Sequence, residues 1–251
     1  MPKVFNKKDL DHWTCKYFAH RGLHNNTDVP ENSFLAFSLA IEEKYGIELD
    51  VHLTKDNIPV VFHDYSLLRM CGADLKIERL TLKELNNYTL LNTNKHIPTL
   101  EEVLELVNGK VPLIIELKIK RTDMSLCFHA QELLNNYKGL YYIQSFNPLA
   151  LLWYKRRYPN IIRGQLSSAF LKEDNGNSVV WNFLLQNLLF NFTTKPDYIA
   201  FNHKTPKLLS LRLCRDLYKT PLVAWTIESN SELEKSRKFF DIFIFEGFKP
   251  K

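Results

Sequence analysis

Short apolar runs alternate along the chain with longer segments in which apolar residues recur every three or four positions. The short runs have the length and composition of β-strands, and the longer segments have the periodicity of one helix face. Strand-like runs lie at 17–21, 46–53, 58–63, 112–118, 141–146, 161–167, 197–202, 221–227 and 241–245. Helical periodicity covers 32–44, 99–108, 123–137, 147–157, 179–190, 206–218 and 230–239. Asn32 and Thr99 stand where N-cap residues are expected for the first two of these helices. This alternation predicts an α/β fold.

One strand pair breaks the alternation. The runs 46–53 and 58–63 are separated only by a tight turn at 55–57, and strands joined so closely must be antiparallel, because a parallel pair needs a crossover connection. Without 58–63, eight strands alternate with helices, which is the pattern of a TIM (β/α)8 barrel, and 251 residues is a typical length for that fold. Residues 64–97 have little strand character and are interpreted as a small insertion after this β-hairpin excursion.

The N-terminal segment is expected to cover the seam of this barrel. The seam lies between the first strand, 17–21, and the last strand, 241–245, and only residues 246–251 follow the last strand. Phe5 and Trp13 share one face of a short helix by their spacing. We expect residues 5–13 to pack across the seam and to cover outward-facing residues of both strands.

Composition and charge indicate the class of protein. The chain is 45% hydrophobic and 24% charged, which is typical of a soluble globular protein, and residues 1–251 are interpreted as a single domain. Its 33 basic and 28 acidic residues give a net charge of +5 without a long run of like charge. This mild, scattered excess argues against a nucleic-acid partner and is compatible with a small anionic substrate.

The spacing of the cysteines and the hydropathy of the chain indicate the cellular compartment. The four cysteines are far apart in the sequence and form no metal-binding pair such as C-x-x-C, which is typical of thiols in a reducing compartment. No signal-peptide pattern opens the chain, and the longest apolar runs are only as long as strands. We therefore expect a cytoplasmic protein without stable membrane insertion.

Three carboxylates occur within the most hydrophobic predicted strands. Glu48 and Asp50 are two positions apart in strand 46–53 and therefore face the same way. Glu116 lies in strand 112–118, which should be the next strand of the barrel. Like charges in an apolar surrounding raise pKa values or require a cation. Oxygen ligands alone favour a hard divalent ion, so this cluster predicts one Mg²⁺ or Ca²⁺.

Histidines and fixed positive charges accompany these acids. His20 falls at the carboxyl end of its strand, where active sites of this fold lie, and His63 ends the returning arm of the hairpin. Two histidines beside a metal suit general acid–base catalysis near neutral pH, and Arg21 and Lys118 supply the charge that a phosphate needs. The combination predicts metal-assisted cleavage of a phosphodiester, in which one histidine activates the attacking oxygen and the other protonates the leaving alkoxide.

These residues lie in motifs that resemble the glycerophosphodiester phosphodiesterase family. In that family's order, the motifs are "AHRG", "PENS", "IELDVHLTKDNIPVVFHD", "IPTLEEVL", "IIELK" and "VAWTI". The resemblance implies a TIM barrel with a small insertion, and hydrolysis of small glycerophosphodiesters to an alcohol and sn-glycerol 3-phosphate. The site residues that it implies are an acid–base pair, phosphate contacts and metal ligands: His20 and His63, Arg21 and Lys118, and Glu48, Asp50 and Glu116.

Some assignments go beyond these motifs. Trp225, at the end of strand 221–227, is expected to line the glycerol pocket. A lysophospholipase D-like hydrolase is an alternative that would use the same site with apolar loops at the barrel mouth. Candidate residues for those loops are Leu67, Leu68, Met70, Phe170, Phe183, Leu184 and Leu185. A barrel that only binds a phospho-ligand is a third interpretation, against which both histidines and all three acids argue.

Overall fold

The computed structural model describes residues 13–91, 93–172 and 178–250. Its strands are β1 (Tyr17–His20), β2 (Gly46–Leu53), β3 (Pro59–Val61), β4 (Leu113–Leu117), β5 (Tyr141–Ser145), β6 (Arg163–Ser167), β7 (Tyr198–Asn202), β8 (Leu222–Ile227) and β9 (Ile242–Phe245). Its helices are α1 (Phe34–Glu42), α2 (Leu68–Cys71), α3 (Leu82–Leu85), α4 (Leu100–Val107), α5 (Ser125–Leu134), α6 (Pro148–Arg157), α7 (Val179–Gln186), α8 (Asn191–Thr194), α9 (Leu209–Asp216) and α10 (Asn230–Ser236). Every strand-like run of the sequence corresponds to one of these strands.

Eight parallel strands alternate with helices, and one further strand, β3, runs antiparallel to β2. This is the TIM (β/α)8 barrel fold with an additional strand, as the sequence predicts. The predicted hairpin is confirmed, because Val51 pairs with Val61 in antiparallel register. Among the helices that the structure describes, none has the length and hydropathy needed to cross a membrane.

Residues 18–141 form one compact unit. In this unit β1, β2 and β4 are parallel neighbours, and their register sets His20 beside Glu48 and Asp50 beside Glu116. The residues between the two acids of β2 and on either side of them are fully buried aliphatic side chains. Because strand side chains alternate between two faces, the acids share one face of β2 and the aliphatic residues share the other.

The segment 64–97 gives this unit a small hydrophobic core of its own. Helices α2 and α3 and a 3-10 turn at Ile77–Arg79 enclose it. The buried side chains are Val60, Phe62, Leu67, Met70, Ile77, Leu85, Leu90 and Ile97. The expectation that Leu67 and Met70 form an apolar loop at the barrel mouth is therefore wrong, because both fill this core, and only their neighbour Leu68 is exposed.

The second compact unit comprises 142–250 and, among the described N-terminal residues, 13–17. Strands β5 to β9 follow one another as parallel neighbours. Gly164 in β6 leaves room for the ring of Tyr198 in β7, since a Cβ at this position would lie 2.1 Å from that ring. The N–H of Phe243 donates to the carbonyl oxygen of Lys16 at 2.9 Å, so the N-terminal segment hydrogen-bonds to β9.

Trp13 packs against buried tyrosines of the second unit. Its ring stacks on Tyr142 with centroids 4.0 Å apart and meets Tyr198 edge-on at 5.1 Å. The prediction that Trp13 covers outward-facing residues of the first and last strands is wrong, because these contacts hold it against β5 and β7. The rest of the predicted segment, residues 5–12, lies outside the described residues.

Replacing Trp13 by alanine is expected to lower the free energy of unfolding by about 2–3 kcal/mol. The ring is only partly buried, so the loss should fall below the ~3–5 kcal/mol typical of truncating a buried tryptophan. Trp13→Phe keeps an aromatic ring on Tyr142 and should lose clearly less. Urea denaturation of both variants and the parent chain measures the difference, and three equal stabilities would contradict a structural role for this ring.

Candidate active site

Three buried carboxylates meet in the unit formed by residues 18–141. Glu48, Asp50 and Glu116 are 2%, 1% and 6% exposed, and one oxygen of each lies within 4.8 Å of the other two. Burial, together with the charges of Asp50 and Glu116, raises the pKa of Glu48 well above its usual value. Burial, which Lys118 only partly offsets, also raises the pKa of Glu116. Both shifts show that the ionised forms of Glu48 and Glu116 are disfavoured by burial and by the neighbouring carboxylates.

Two cations lie against this cluster. Lys118 Nζ is 2.9 Å from Asp50 Oδ1 and 2.6 Å from Glu116 Oε1, and Arg21 Nε is 3.5 Å from Asp50 Oδ2. Burial lowers the pKa of Lys118, but the two carboxylates outweigh burial and hold the pKa above its usual value. Burial raises the pKa of Asp50, but the positive charges led by Lys118 outweigh it and hold the pKa well below its usual range. Asp50 and Lys118 are therefore both charged at neutral pH.

Asn32 is a site residue that the sequence analysis assigned to another role. It is buried in a left-handed conformation with φ of 54°, and its Nδ2 donates to Asp50 Oδ2 at 3.0 Å. The N-cap of α1 is instead Ser33, whose Oγ accepts from the N–H of Ala36 at 3.2 Å. The prediction for Asn32 is wrong, whereas Thr99 caps α4 as predicted. Asparagine tolerates the left-handed region better than most residues, and this allows the amide to reach Asp50.

His20 and His63 carry the titratable nitrogens of this site. His20 Nε2 is 4.0 Å from Glu48 Oε2. His63 Nδ1 is 2.6 Å from Asp64 Oδ1, so this nitrogen is the one that donates to the carboxylate. Burial lowers the pKa of His63 although Asp50 opposes the shift. His63 is therefore neutral at pH 7, and its Nε2 carries the lone pair that accepts a proton.

A third histidine supports the backbone of His63. His52 is 5% exposed, and its Nε2 is 3.0 Å from the carbonyl oxygen of His63. Burial lowers the pKa of His52 to about 4, so the ring is neutral and donates to that carbonyl. This side chain belongs to the same face of β2 as Asp50, two positions further on. The hydrogen bond from His52 therefore holds the backbone of His63 in place, just after β3 of the hairpin.

An ion-pair network connects Arg69 of the insertion to the carboxylates that contact Arg21 and His63. Arg69 Nη2 is 2.6 Å from Glu31 Oε1, and Arg69 Nε is 2.7 Å from Asp64 Oδ2. Glu31 Oε1 is also 2.8 Å from Arg21 Nη1. Burial raises the pKa of Glu31, but the hydrogen bond from Arg69 and the charge of Arg21 outweigh it and lower the pKa to about 2. Arg69 thus holds two carboxylates, one bound to Arg21 and the other bound to His63.

Trp225 belongs to the second unit, in β8. Its ring meets Phe146 edge-on with centroids 5.7 Å apart. Its indole N–H is buried and has no hydrogen-bond acceptor among the residues that the structure describes. A buried donor of this kind costs stability unless something else accepts from it. The expected contact between Trp225 and substrate stays a prediction.

The remaining predicted site residues all lie in the unit formed by residues 18–141. They are His20, Arg21, Glu48, Asp50, His63, Glu116 and Lys118. The contacts within this candidate site that the sequence analysis missed are those of Glu31, Asn32, Asp64 and Arg69. Glu31 and Asn32 belong to the motif "PENS", and Asp64 ends the motif "IELDVHLTKDNIPVVFHD". The motifs therefore marked these three residues, but the sequence did not show which side chains they contact.

Comparisons with known proteins agree on one family. A model of the glycerophosphoryl diester phosphodiesterase family matches residues 20–238. A glycerophosphodiester phosphodiesterase of Caldanaerobacter subterraneus is 29% identical over 232 residues, which cover 88% of this chain and 88% of that relative. The structure of an Oleispira antarctica phosphodiesterase in complex with the product sn-glycerol-3-phosphate is similar, with a TM-score of 0.74, 25% identity and 92% of both chains covered. A glycerophosphodiester phosphodiesterase from Thermotoga maritima gives a TM-score of 0.69 and 26% identity over 92% of this chain and 94% of that one. Because the family model spans most of the sequence, the chain belongs to the glycerophosphoryl diester phosphodiesterase family and is a phosphoric diester hydrolase.

Proposed function

We propose that this enzyme hydrolyses glycerophosphodiesters to an alcohol and sn-glycerol 3-phosphate, using one divalent cation and two histidines. The observation that carries the proposal is the cluster of three buried carboxylates, with His20 4.0 Å from Glu48. Membership of the family supports the substrate class. The product bound by the Oleispira antarctica phosphodiesterase supports the identity of the phosphate product.

Glu48, Asp50 and Glu116 are proposed to hold the cation. They offer only oxygen atoms, which suit Mg²⁺ or Ca²⁺ better than a softer metal. Burial and the repulsion between the carboxylates raise the pKa values of Glu48 and Glu116, and a divalent ion would offset both effects, so it fits this donor set. When bound, the ion would withdraw charge from a phosphoryl oxygen and favour attack at phosphorus.

His63 is proposed as the base and His20 as the acid. Asp64 accepts the hydrogen bond from Nδ1 of His63, which leaves the lone pair of Nε2 for the proton of the attacking hydroxyl. That oxygen forms a new bond to phosphorus while the bond from phosphorus to the leaving alkoxide breaks. His20 gives its proton to the alkoxide, which leaves as the alcohol. When the attacking hydroxyl belongs to water, sn-glycerol 3-phosphate forms directly. When it is the glycerol 2-hydroxyl, water then opens the resulting cyclic phosphate to give sn-glycerol 3-phosphate.

Arg21, Lys118 and Trp225 are proposed to bind the substrate. The ammonium of Lys118 has three donor hydrogens, and its two carboxylate partners leave one for a phosphoryl oxygen. Glu31 holds Arg21 through Nη1, so the guanidinium is positioned before the phosphate arrives. For Trp225, the buried indole N–H supports a role as a donor to the substrate.

An activity panel tests this function. Glycerophosphocholine, glycerophosphoethanolamine, glycerophosphoglycerol and lysophosphatidylcholine are each incubated with Mg²⁺, Ca²⁺ or EDTA, and sn-glycerol 3-phosphate is measured. The proposal expects this product from the glycerophosphodiesters when a cation is present. Release of choline from lysophosphatidylcholine alone would support the lysophospholipase D alternative, and binding without turnover would support a non-catalytic barrel. Phosphorus NMR of early time points detects a cyclic phosphate if the glycerol 2-hydroxyl attacks first.

A cytoplasmic location and a single domain belong to the same proposal. The four cysteines, all of which the structure describes, form no disulfide bonds, as is usual where thiols are kept reduced. Cell fractionation with an antibody against the chain tests the location. One calorimetric unfolding transition with equal calorimetric and van't Hoff enthalpies would support a single cooperative domain over residues 1–251.

Arg69→Gln is expected to reduce kcat/KM by about 10–100-fold, the usual effect of losing a residue that orients catalytic groups. The glutamine cannot bind Glu31 and Asp64 at the same time. The carboxylates that orient Arg21 and His63 are then no longer held in place. We expect most of the loss in kcat. Released from Arg69, the Asp64 carboxylate should also interact more strongly with His63, which shifts the acid limb of the pH–rate profile upward.

Arg79→Gln provides the matched control, because Arg79 is an exposed arginine of the same insertion. Its kinetic constants and pH profile should equal those of the parent enzyme. Arg69→Lys keeps the charge but not the planar fork and should recover only part of the activity. An Arg69→Gln enzyme with a normal pH profile and reduced thermal stability would mean that Arg69 only stabilises the insertion.

A further inference from the structure

Helices α7, α8 and α9 expose many large apolar side chains. The exposed fractions reach 74% for Val179, 58% for Phe192 and 69% for Leu209. The exposed apolar residues of this stretch are Val179, Val180, Trp181, Phe183, Leu189, Phe192, Leu209, Leu213 and Leu217. Apolar side chains exposed together, rather than singly, usually mark a binding surface.

Several of these side chains border a single groove. It has a volume of about 290 Å³, and its apolar lining comes from all three helices and the α7–α8 connection. The large aliphatic and phenylalanine residues of the lining are Phe183, Leu188, Leu189, Phe192, Leu209 and Leu213, and Asn187, Asn191, Ser210, Cys214 and Tyr218 complete it. In α9 and just beyond it, Leu209, Leu213 and Leu217 follow at intervals of four and form one stripe. The groove and this stripe together are called the α7–α9 face.

The same stretch of chain is strongly basic. Its exposed basic residues are Lys195, Lys204, Lys207, Arg212 and Lys219. Between residues 178 and 220 the sequence has only two acidic residues, Asp197 and Asp216. Asp197 is buried beside Arg163, and Asp216 is paired with Arg215 at 2.7 Å. Apolar surface is thus combined with positive charge that few acidic groups offset.

We propose that the α7–α9 face docks the enzyme onto membrane surfaces that contain anionic phospholipids. The apolar side chains would enter the boundary between headgroups and acyl chains, while the basic residues would lie against the lipid phosphates. Charge complementarity favours this partner over a second copy of the chain, because two such faces would bring like charges together. Each basic residue near an anionic surface contributes about a five-fold gain in binding. The docking requires no catalysis and is independent of the proposed function.

Vesicle flotation of the full chain tests this proposal. Vesicles of phosphatidylcholine alone are compared with vesicles of equal parts phosphatidylcholine and phosphatidylglycerol, at low and high NaCl. The chain should bind only the anionic vesicles, and high salt should weaken the binding because it screens the charges. A Lys204→Gln, Lys207→Gln, Arg212→Gln variant should bind roughly 100-fold more weakly. A Leu209→Gln, Leu213→Gln variant should bind at least ~10-fold more weakly, since it loses apolar contact.

Controls separate docking from folding and catalysis. Leu68→Gln and Lys83→Gln change an exposed apolar and an exposed basic residue of the insertion and should bind vesicles like the parent chain. All variants should hydrolyse soluble glycerophosphocholine as the parent chain does and should keep its circular dichroism spectrum. Absence of flotation with anionic vesicles, or equal flotation of the α7–α9 variants and the controls, would overturn the proposal. A parent dimer that becomes monomeric with Leu209→Gln, Leu213→Gln would also overturn it, since a second copy would then cover the face.

Discussion

Removal of divalent cations with EDTA is expected to abolish phosphodiester hydrolysis, and added Mg²⁺ or Ca²⁺ is expected to restore it. Three carboxylates lie within 4.8 Å of one another, and only Lys118 and Arg21 form ion pairs with Asp50 among the described residues. A divalent ion held by the three carboxylates would supply the positive charge that attracts an anionic phosphodiester and withdraws charge from its phosphoryl oxygens. Full activity in a rigorously metal-free preparation would contradict this expectation.

The ligand assignment makes a sharper form of the same prediction. Glu48→Gln and Asp50→Asn should each weaken metal binding by roughly 100-fold or more, because loss of a ligand exceeds the ~10–100-fold typical of losing a group behind a ligand. Isothermal titration calorimetry with Mg²⁺ and Ca²⁺ measures this effect without any substrate. Glu105→Gln, a change at an exposed glutamate of α4, should leave metal affinity and turnover unchanged.

Thermal stability supplies a second measurement. The folded chain raises the pKa of Glu48 above its usual 4.5, so ionisation of this group above that pH costs folding stability. In metal-free buffer at neutral pH, Glu48→Gln should therefore melt no lower than the parent chain. At cation concentrations that saturate the parent chain, its melting temperature should rise clearly more than that of the variant, because the variant binds the ion much more weakly. A metal-free variant that is much less stable would mean that Glu48 is a structural group instead.

The acid cluster can be predicted from the sequence because side chains along a β-strand alternate between its two faces. The spacing of Glu48 and Asp50 alone places them on one face, and recognition of the hairpin identifies 112–118 as the neighbouring strand. The structure confirms this neighbour, since Asp50 pairs with Glu116 in parallel register. Local periodicity and turn chemistry therefore suffice wherever regular strands position the side chains.

Contacts that depend on an irregular backbone conformation or on a long loop cannot be predicted from the sequence pattern in this way. Asn32 before a helix has the appearance of an N-cap, and only its positive φ directs the amide to Asp50 instead. Arg69 reaches Glu31 across 38 residues from an insertion whose fold has no periodic signal. Trp13 stacks on Tyr142, a partner in a distant strand. In each case the tertiary structure decides among several locally reasonable partners.

His20→Ala and His63→Ala are each expected to reduce turnover by about 10²–10⁴-fold, the usual contribution of a positioned acid or base. Neither histidine supplies a ligand in the proposed site, so calorimetry should find Mg²⁺ or Ca²⁺ binding close to that of the parent chain. Reduced turnover with unchanged metal affinity distinguishes the histidines from the acids, whose replacement should weaken metal binding. A variant of either histidine with near-normal turnover would make that histidine structural.

The pH profile distinguishes the two roles. Burial lowers the pKa of His63 from its ordinary 6.5, so the acid limb of kcat/KM should lie below pH 6.5. Activity should fall as pH decreases through that pKa, because protonated His63 cannot accept a proton from the attacking hydroxyl. In His63→Ala the residual activity should lose this acid limb, whereas His20→Ala should keep it. A substrate with a better leaving group, such as a p-nitrophenyl phosphodiester, should rescue His20→Ala but not His63→Ala, because nitrophenolate leaves without a proton. If the leaving group rescues His63→Ala instead, the two assignments are reversed.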